Sequence, residues 1–316
     1  QKRNDPYNYF AGTGNKIMNS SIDYAYTYKN LHVFGEAAVD KGFNSAFING
    51  ALVSVDPKVD VSFLHRKISP AYQAPFGNAF TENTLPSNES GFNAGIVLRP
   101  VISWQISAYA DFYQFPFLKY RVNGPSVGRD YLFQIYFKPD RKSEIYFRYR
   151  NENKPINETG VGPINVATEK LRQNVRLHFL TQVHPAISLK SRGELVWYDK
   201  KGSNPEEGFL AYIEGSFKPS FRLSTNVRLQ YFETDGYNSR IYTYESDVLY
   251  GFSIPPFFDK GFRYYFNVNY DVTKELSFWF RWAQTVYKNK TKIGSGLNEI
   301  SGNKKTEIKF QVRYNL

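Results

Sequence analysis

Phe221-Arg222-Leu223-Ser224-Thr225-Asn226-Val227-Arg228-Leu229-Gln230-Tyr231 is the stretch on which the fold turns. On an extended strand Phe221, Leu223, Thr225, Val227, Leu229 and Tyr231 share one face, and Arg222, Ser224, Asn226, Arg228 and Gln230 share the other. The same period of two recurs elsewhere. Phe262, Tyr264, Phe266, Val268 and Tyr270 alternate with Arg263, Tyr265, Asn267 and Asn269. Leu276, Phe278, Phe280 and Trp282 alternate with Ser277, Trp279 and Arg281. Ile308, Phe310, Val312, Tyr314 and Leu316 alternate with Glu307, Lys309, Gln311, Arg313 and Asn315, and Ile145, Phe147 and Tyr149 oppose Glu144, Tyr146, Arg148 and Arg150. Many runs reach ten to thirteen residues, longer than the five or six typical of soluble strands and long enough to cross a bilayer at a tilt.

Composition agrees with strands that are greasy on one face and wet on the other. Of 316 residues 18% are aromatic, with 25 Tyr and 27 Phe, yet the mean hydropathy is −0.50. There is no Cys and a single Met, which excludes disulfides and thiolate metal sites. No stretch approaches the roughly 20 apolar residues of a membrane helix. The net charge of +11 suits anionic lipid, acidic polysaccharide or nucleic acid as partners. Outer-membrane lipids and lipopolysaccharide are the expected ones, with other envelope proteins beside them.

Short turns punctuate the chain at Asp56-Pro57, Arg99-Pro100, Lys138-Pro139-Asp140, His184-Pro185, Lys218-Pro219 and Thr273-Lys274. Most intervals between them hold two strands and one longer loop. The strands read as 20–28, 31–39, 44–55, 59–68, 90–99, 101–113, 129–138, 143–152, 170–183, 187–198, 208–218, 221–233, 262–271, 275–287 and 304–316. The loops 69–89, 114–128, 153–168 and 288–303 are then the outward ones. The fold class is all-β: an antiparallel transmembrane β-barrel of about 16 strands, 14 to 18, in a Gram-negative outer membrane. Residues 1–19, with Pro6, Gly12 and Gly14, are an irregular segment or an incomplete first strand, and 20–316 are the barrel. Fifteen strands make an odd count, so either 1–19 cross irregularly or the chain is the C-terminal piece of a longer protein. Residues 241–256 are either a folded-in loop or an extra hairpin. Aromatics beside predicted loops form interfacial girdles: Tyr24, Tyr26 and Tyr28; Tyr109, Phe112 and Tyr113; Trp197 and Tyr198; Tyr231 and Phe232.

Three blocks carry a family resemblance. The first is Tyr109-Ala110-Asp111-Phe112-Tyr113 with Phe115-Pro116 and Tyr120-Arg121-Val122. The second is Ile241-Tyr242-Thr243-Tyr244-Glu245-Ser246-Asp247-Val248-Leu249-Tyr250. The third is Arg281-Trp282-Ala283-Gln284-Thr285 with Ile293-Gly294-Ser295-Gly296-Leu297-Asn298-Glu299-Ile300. The chain resembles the C-terminal outer-membrane barrel region of Bacteroidota helix-hairpin-helix proteins of the competence DNA-uptake type. The resemblance implies a barrel, not a chemistry. Family members are longer and carry helix-hairpin-helix repeats upstream. This sequence has none, so nucleic acid is an expected partner only through such an N-terminal region.

No catalytic constellation stands out. His32, His65, His178 and His184 show no metal-ligand spacing. His178 is expected to be solvated in the lumen beside Arg176, with no Ser-acid pair brought to it. The richest feature is the polar rows' arginines: Arg148, Arg150, Arg176, Arg222, Arg228, Arg263, Arg281 and Arg313. Guanidinium forks suit phosphate and carboxylate, and rings of them select anions. The competing expectation is that Glu144, Glu194, Glu214 and Glu307 pair with them and stiffen the wall. Gly294-Ser295-Gly296 sits between strands rather than before a helix and reads as a turn. Asn88-Glu89-Ser90 and Asn157-Glu158-Thr159 read as chance matches to a glycan acceptor. The function expected is a non-enzymatic outer-membrane barrel without cofactors, a subunit or anchor of an envelope complex. A channel for anionic solutes or nucleic acid is the alternative, and a barrel hydrolase comes third.

Overall fold

The computed structural model describes residues 5–12, 15–158 and 167–315. Its long strands, in chain order, are β1 (Asn19–Tyr28), β2 (Leu31–Asp40), β3 (Ser45–Asp56), β4 (Val59–Ile68), β5 (Glu89–Leu98), β6 (Trp104–Phe115), β7 (Ser126–Phe137), β8 (Ser143–Asn157), β9 (Ala167–His184), β10 (Ile187–Tyr198), β11 (Glu206–Phe217) and β12 (Leu223–Thr234). Two short pieces follow, β13 (Ile241–Tyr242) and β14 (Pro256–Phe257), then the long β15 (Lys260–Asp271) and β16 (Leu276–Tyr287). The short β17 (Lys292–Ile293) and β18 (Ile300–Ser301) precede the last long strand, β19 (Lys304–Tyr314). Fifteen long strands form one sheet in chain order. Antiparallel pairing of fifteen strands leaves the first and last pointing the same way, whereas single-chain bacterial barrels have an even number. The sixteenth strand anticipated at the N-terminus is not among the described residues, where Pro6–Asn8 form one 3-10 turn; residues 1–4, 13 and 14 lie outside them.

The chain divides into two compact units. The first comprises Gln1–Ile135 and Arg150–Arg172, the second Tyr136–Tyr149 and Gln173–Leu316. Several expected boundaries shift. Val101, Ile102 and Ser103 are a turn, and β6 starts at Trp104. Phe221 and Arg222 likewise stay in the turn before β12. At the edges of the loop expected at 153–168, β8 runs on to Asn157 and β9 begins at Ala167; residues 159–166 lie outside the described ones. Alternating apolar and polar side chains mark the middle of a strand but say nothing about where its hydrogen-bonded ladder stops.

In the second unit the strands show a reversed burial order. Arg228 is 1% exposed, while its neighbour Leu229 is 59% exposed. On β12, β15 and β16, Arg228, Gln230, Arg263, Tyr265, Asn267 and Arg281 are buried, and Val227, Phe262, Phe266 and Phe280 are exposed. The first unit repeats this: Arg66, Glu89 and Asp111 are buried, while Phe63, Phe92, Ile96 and Phe112 are exposed. In water such a sheet would present apolar rows far beyond what soluble proteins expose. Lipid is the solvent that makes the bare face favourable. β1 is exposed along its whole length on both faces, as an edge strand is.

Two girdle expectations are corrected. Tyr113 and Phe232 are buried, because both sit on the covered face of their strands. Phe232 packs with Val196, Leu210, Tyr212, Ile241 and Phe257 in a small apolar cluster. Tyr24, Tyr26, Tyr28 and Phe112 are exposed.

The bare face makes a direct prediction. Leu229→Arg, mid-strand on β12, is expected to lower folding stability in phospholipid vesicles by about 2–4 kcal/mol. Urea-driven folding equilibria measure it, and an unchanged midpoint would mean that Leu229 does not face acyl chains.

Candidate functional site: the charged row and the loops laid on it

Strand register in the second unit sets a row of charges across neighbouring strands. Glu214 stands opposite Arg228, Arg228 opposite Tyr265 and Gln230 opposite Arg263. Asn267 stands opposite Arg281, and Arg281 opposite Lys309. Because β11, β12, β15, β16 and β19 all present this row on one face, cations accumulate there faster than strand carboxylates can balance them.

The missing charge comes from the segment joining β12 to β15. Ile241 and Phe257 anchor it in the apolar cluster, and the β13–β14 pair with the Glu245–Ser253 bridge shape it. It is therefore a folded-in loop, not an added hairpin of the main sheet. Glu245 is fully buried. Its Oε1 accepts from Arg263 Nε at 2.6 Å and its Oε2 from Arg263 Nη2 at 2.8 Å and Arg281 Nη2 at 2.5 Å. Asp247 Oδ2 accepts from Lys309 Nζ at 2.6 Å. Glu307 adds longer contacts, 3.4 Å to Arg263 and 3.7 Å to Arg281. Arg228 donates from Nε to Glu214 at 2.8 Å and from Nη1 to the Tyr244 carbonyl at 2.8 Å. Its guanidinium lies 4.0 Å from the Tyr212 ring centroid, and Tyr265 donates its hydroxyl to Glu214. Arg192 Nη2 donates to the Tyr242 carbonyl at 3.0 Å.

A parallel arrangement holds the loop between β4 and β5 in the first unit. Arg66 donates from Nε to Glu89 at 2.6 Å, and from both terminal nitrogens to Asp111 at 2.8 and 3.0 Å. Glu89 also accepts the backbone N–H groups of Glu82 and Asn83 at 2.9 to 3.0 Å. Gly91, opposite Arg66 in the register, is what makes room: a Cβ there would lie 2.6 Å from the guanidinium carbon. Arg150 grips Asp130 at 2.7 to 3.1 Å, and Tyr109 donates its hydroxyl to the same carboxylate at 2.9 Å. Lys154 bridges Glu82 and Glu152. In the adjoining loop Lys119 Nζ sits 3.5 Å from the Phe115 ring centroid. Burial, with repulsion from Lys154, pushes its ammonium down to about 8. Burial raises Glu82 above the usual carboxylate range against the pull of Lys154.

Of the eight arginines singled out in the sequence, Arg150, Arg176, Arg228, Arg263 and Arg281 meet carboxylates of their own chain; Arg176 reaches Glu194 at 2.8 Å. Arg313 lies over Trp279, 5.4 Å from the ring centroid. Arg148 stands in β8, and Arg222 is exposed in a turn rather than on the row. Among the acids expected to pair with them, Glu194, Glu214 and Glu307 do so, while Glu144 meets Lys138 at 2.7 Å. His178 is not solvated: it is buried and stacked on Tyr146, with ring centroids 4.7 Å apart. Gly294 and Gly296 have positive φ in a loop, as a turn requires. Sequence reading passed over Arg66, Glu89, Asp130, Glu245 and Asp247 as site residues. For Glu245 and Asp247 the usable signal was that they are the only charged residues in the sequence between Ile241 and Pro256.

No family model and no curated protein matches the chain. Among solved structures it is similar to the siderophore receptor PirA from Acinetobacter baumannii, with a TM-score of 0.54 at 7% identity over 96% of this chain and 51% of that one. The chain thus spans about half the length of that receptor. It is also similar to the outer-membrane protein OmpT of Vibrio cholerae (TM-score 0.47, 11% identity, 94% of this chain and 88% of that chain). An anion-selective porin from Comamonas acidovorans scores 0.43 at 8% identity over 94% of this chain and 99% of that one. The long antiparallel sheet in chain order, of the kind outer-membrane barrels are built from, and its bare apolar face make this an outer-membrane protein.

Two measurements probe the charged row and its loops. Glu245→Gln leaves Arg263 and Arg281 buried without their shared carboxylate, and should cost about 3–5 kcal/mol in urea unfolding; adding Arg281→Met should recover part of it. Lys119 is half neutral near pH 8. Its depressed value opposes folding below pH 8, and that penalty fades as pH rises toward the ordinary lysine range. Amine acylation at pH 8 followed by peptide mapping should mark Lys119 ahead of the exposed lysines; equal labelling would refute its desolvated setting.

Proposed function

We propose that the chain is a non-enzymatic outer-membrane barrel protein that acts as a structural subunit or membrane anchor of a cell-envelope assembly, its interior face occupied by its own loops. The observation that carries this reading is Glu245, which binds Arg263 and Arg281 at once and pins the loop between β12 and β15 onto the charged row. Five of the eight arginines that would recruit a passing anion already meet carboxylates of their own chain. A guanidinium satisfied by a buried carboxylate is a poor first stop for a solute, since exchange must break several short ionic hydrogen bonds. The resemblance to helix-hairpin-helix barrels fits an anchoring role.

A second reading keeps the channel. The tip of the loop, around Glu245 and Asp247, is held chiefly by ionic contacts, so it can leave when another anion competes for the same guanidinium groups. The row beneath would then line an anion path.

Planar-bilayer recording decides between the two. The native protein is expected to be silent, and removal of residues 241–256 is expected to open an anion-preferring conductance by baring Arg228, Arg263 and Arg281. Steady anion-selective current from the unaltered protein would favour the channel. Migration in mild detergent as a lone protein, free of any envelope partner, would count against the subunit role.

A further inference from the structure

The first unit contains a cavity of about 440 Å³ on its covered face, within the size range of small-molecule sites. Strand register builds its floor from small residues. Ser62 on β4 stands opposite Gly95 on β5, Gly95 stands opposite Tyr109 on β6, and Ser107 stands opposite Val97. Asn93 is one step up the same face. Gly95 matters for its missing side chain: a Cβ there would come within 2.6 Å of Ser62 Oγ, into the space the cavity occupies. Phe80 and Glu82, from the loop between β4 and β5, also line it.

The carboxylates at the cavity wall are each engaged by a cation of the protein, which they share with Glu89 or Glu152. Asp130 is held by Arg150, Asp111 by Arg66 and Glu82 by Lys154. An anionic guest would face these carboxylates, and a cationic one would have to displace Arg150, Arg66 or Lys154 from them. What remains unspent is neutral: the side chains of Ser62, Asn93 and Ser107 make no hydrogen bond among the described residues, and beside them lies the phenol of Tyr109. Hydroxyl and amide groups around a small-residue floor, with an aromatic ring at one side, match a guest that has many hydroxyl groups and an apolar ring face.

We propose that this cavity is a binding site for a neutral saccharide of one or two rings. Ser62, Asn93 and Ser107 exchange hydrogen bonds with its hydroxyls, and Phe80 covers a sugar face. The Asp130–Tyr109–Arg150 group fixes the wall on which the sugar rests. The site is independent of whether the barrel conducts, since it is read from one unit and its test is binding.

The test is isothermal titration of the purified protein in dimethyldodecylamine oxide, a detergent with no sugar head group. Maltose, lactose and N,N′-diacetylchitobiose are the probes, with glucose 6-phosphate and spermidine as charged controls. At least one disaccharide should bind with a Kd of about 1 mM or tighter. Gly95→Val should weaken it at least about tenfold by filling the floor. Should Gly95→Val fail the heat-modifiability check for folding, Ser62→Ala with Asn93→Ala, which removes only polar atoms, should give a similar loss. The proposal is overturned if no disaccharide binds, if binding survives a folded variant of either kind, or if glucose 6-phosphate or spermidine binds more tightly than every disaccharide.

Discussion

Taking a guanidinium out of water costs several kcal/mol unless a carboxylate meets it and its remaining N–H groups find acceptors. The covered face of this sheet buries Arg66, Arg228, Arg263 and Arg281 to 3% exposure or less, so much of the rest follows from balancing them. In each unit the balance involves a connecting loop. Glu89, at the junction of β5 with its loop, takes Arg66 on one side and two loop N–H groups on the other. Glu245, at the tip of the long loop before β15, takes two arginines from adjacent strands. The loops are therefore counter-ions to the wall as well as connections, and their path is set by where the uncompensated charge lies.

The opposite face obeys the complementary constraint. Val227, Leu229, Phe262, Phe266 and Phe280 are exposed and need a solvent that does not penalise apolar area. The backbone meanwhile spends its N–H and C=O groups on neighbouring strands, the arrangement lipid demands. Buried charge on one side and bare aromatics on the other are two consequences of one period-two sequence in one solvent geometry. Small residues add local relief. Gly91 lets Arg66 lie flat across β5, and Gly95 leaves the space beside Ser62 open.

Much of this was legible from residue order. Alternation along 221–231, 262–270 and 276–282 identified the strands, their faces and the lipid-facing rows, because side chains of a pleated strand alternate strictly whatever the tertiary context. The pairing of Glu194, Glu214 and Glu307 with arginines was also anticipated, since all lie on polar rows. Less legible were strand ends, as at Val101, Phe221 and Asn153, where the ladder continues or stops according to its neighbour. The fate of His178 was hidden for a similar reason. Its face was clear, but the Tyr146 ring that covers it belongs to another strand.

Thus the sequence by itself determined an all-β chain, the membrane as its solvent and the face each side chain takes, since these depend only on the strand period and on hydrophobicity. Tertiary structure alone decided which acid meets which arginine, that residues 241–256 return onto the wall, and that small residues on β4, β5 and β6 leave a cavity. Those outcomes depend on register between strands and on the route of loops. Both are set by contacts between residues far apart in the chain, such as Glu245 with Arg281 and Glu89 with Arg66, which no local pattern encodes.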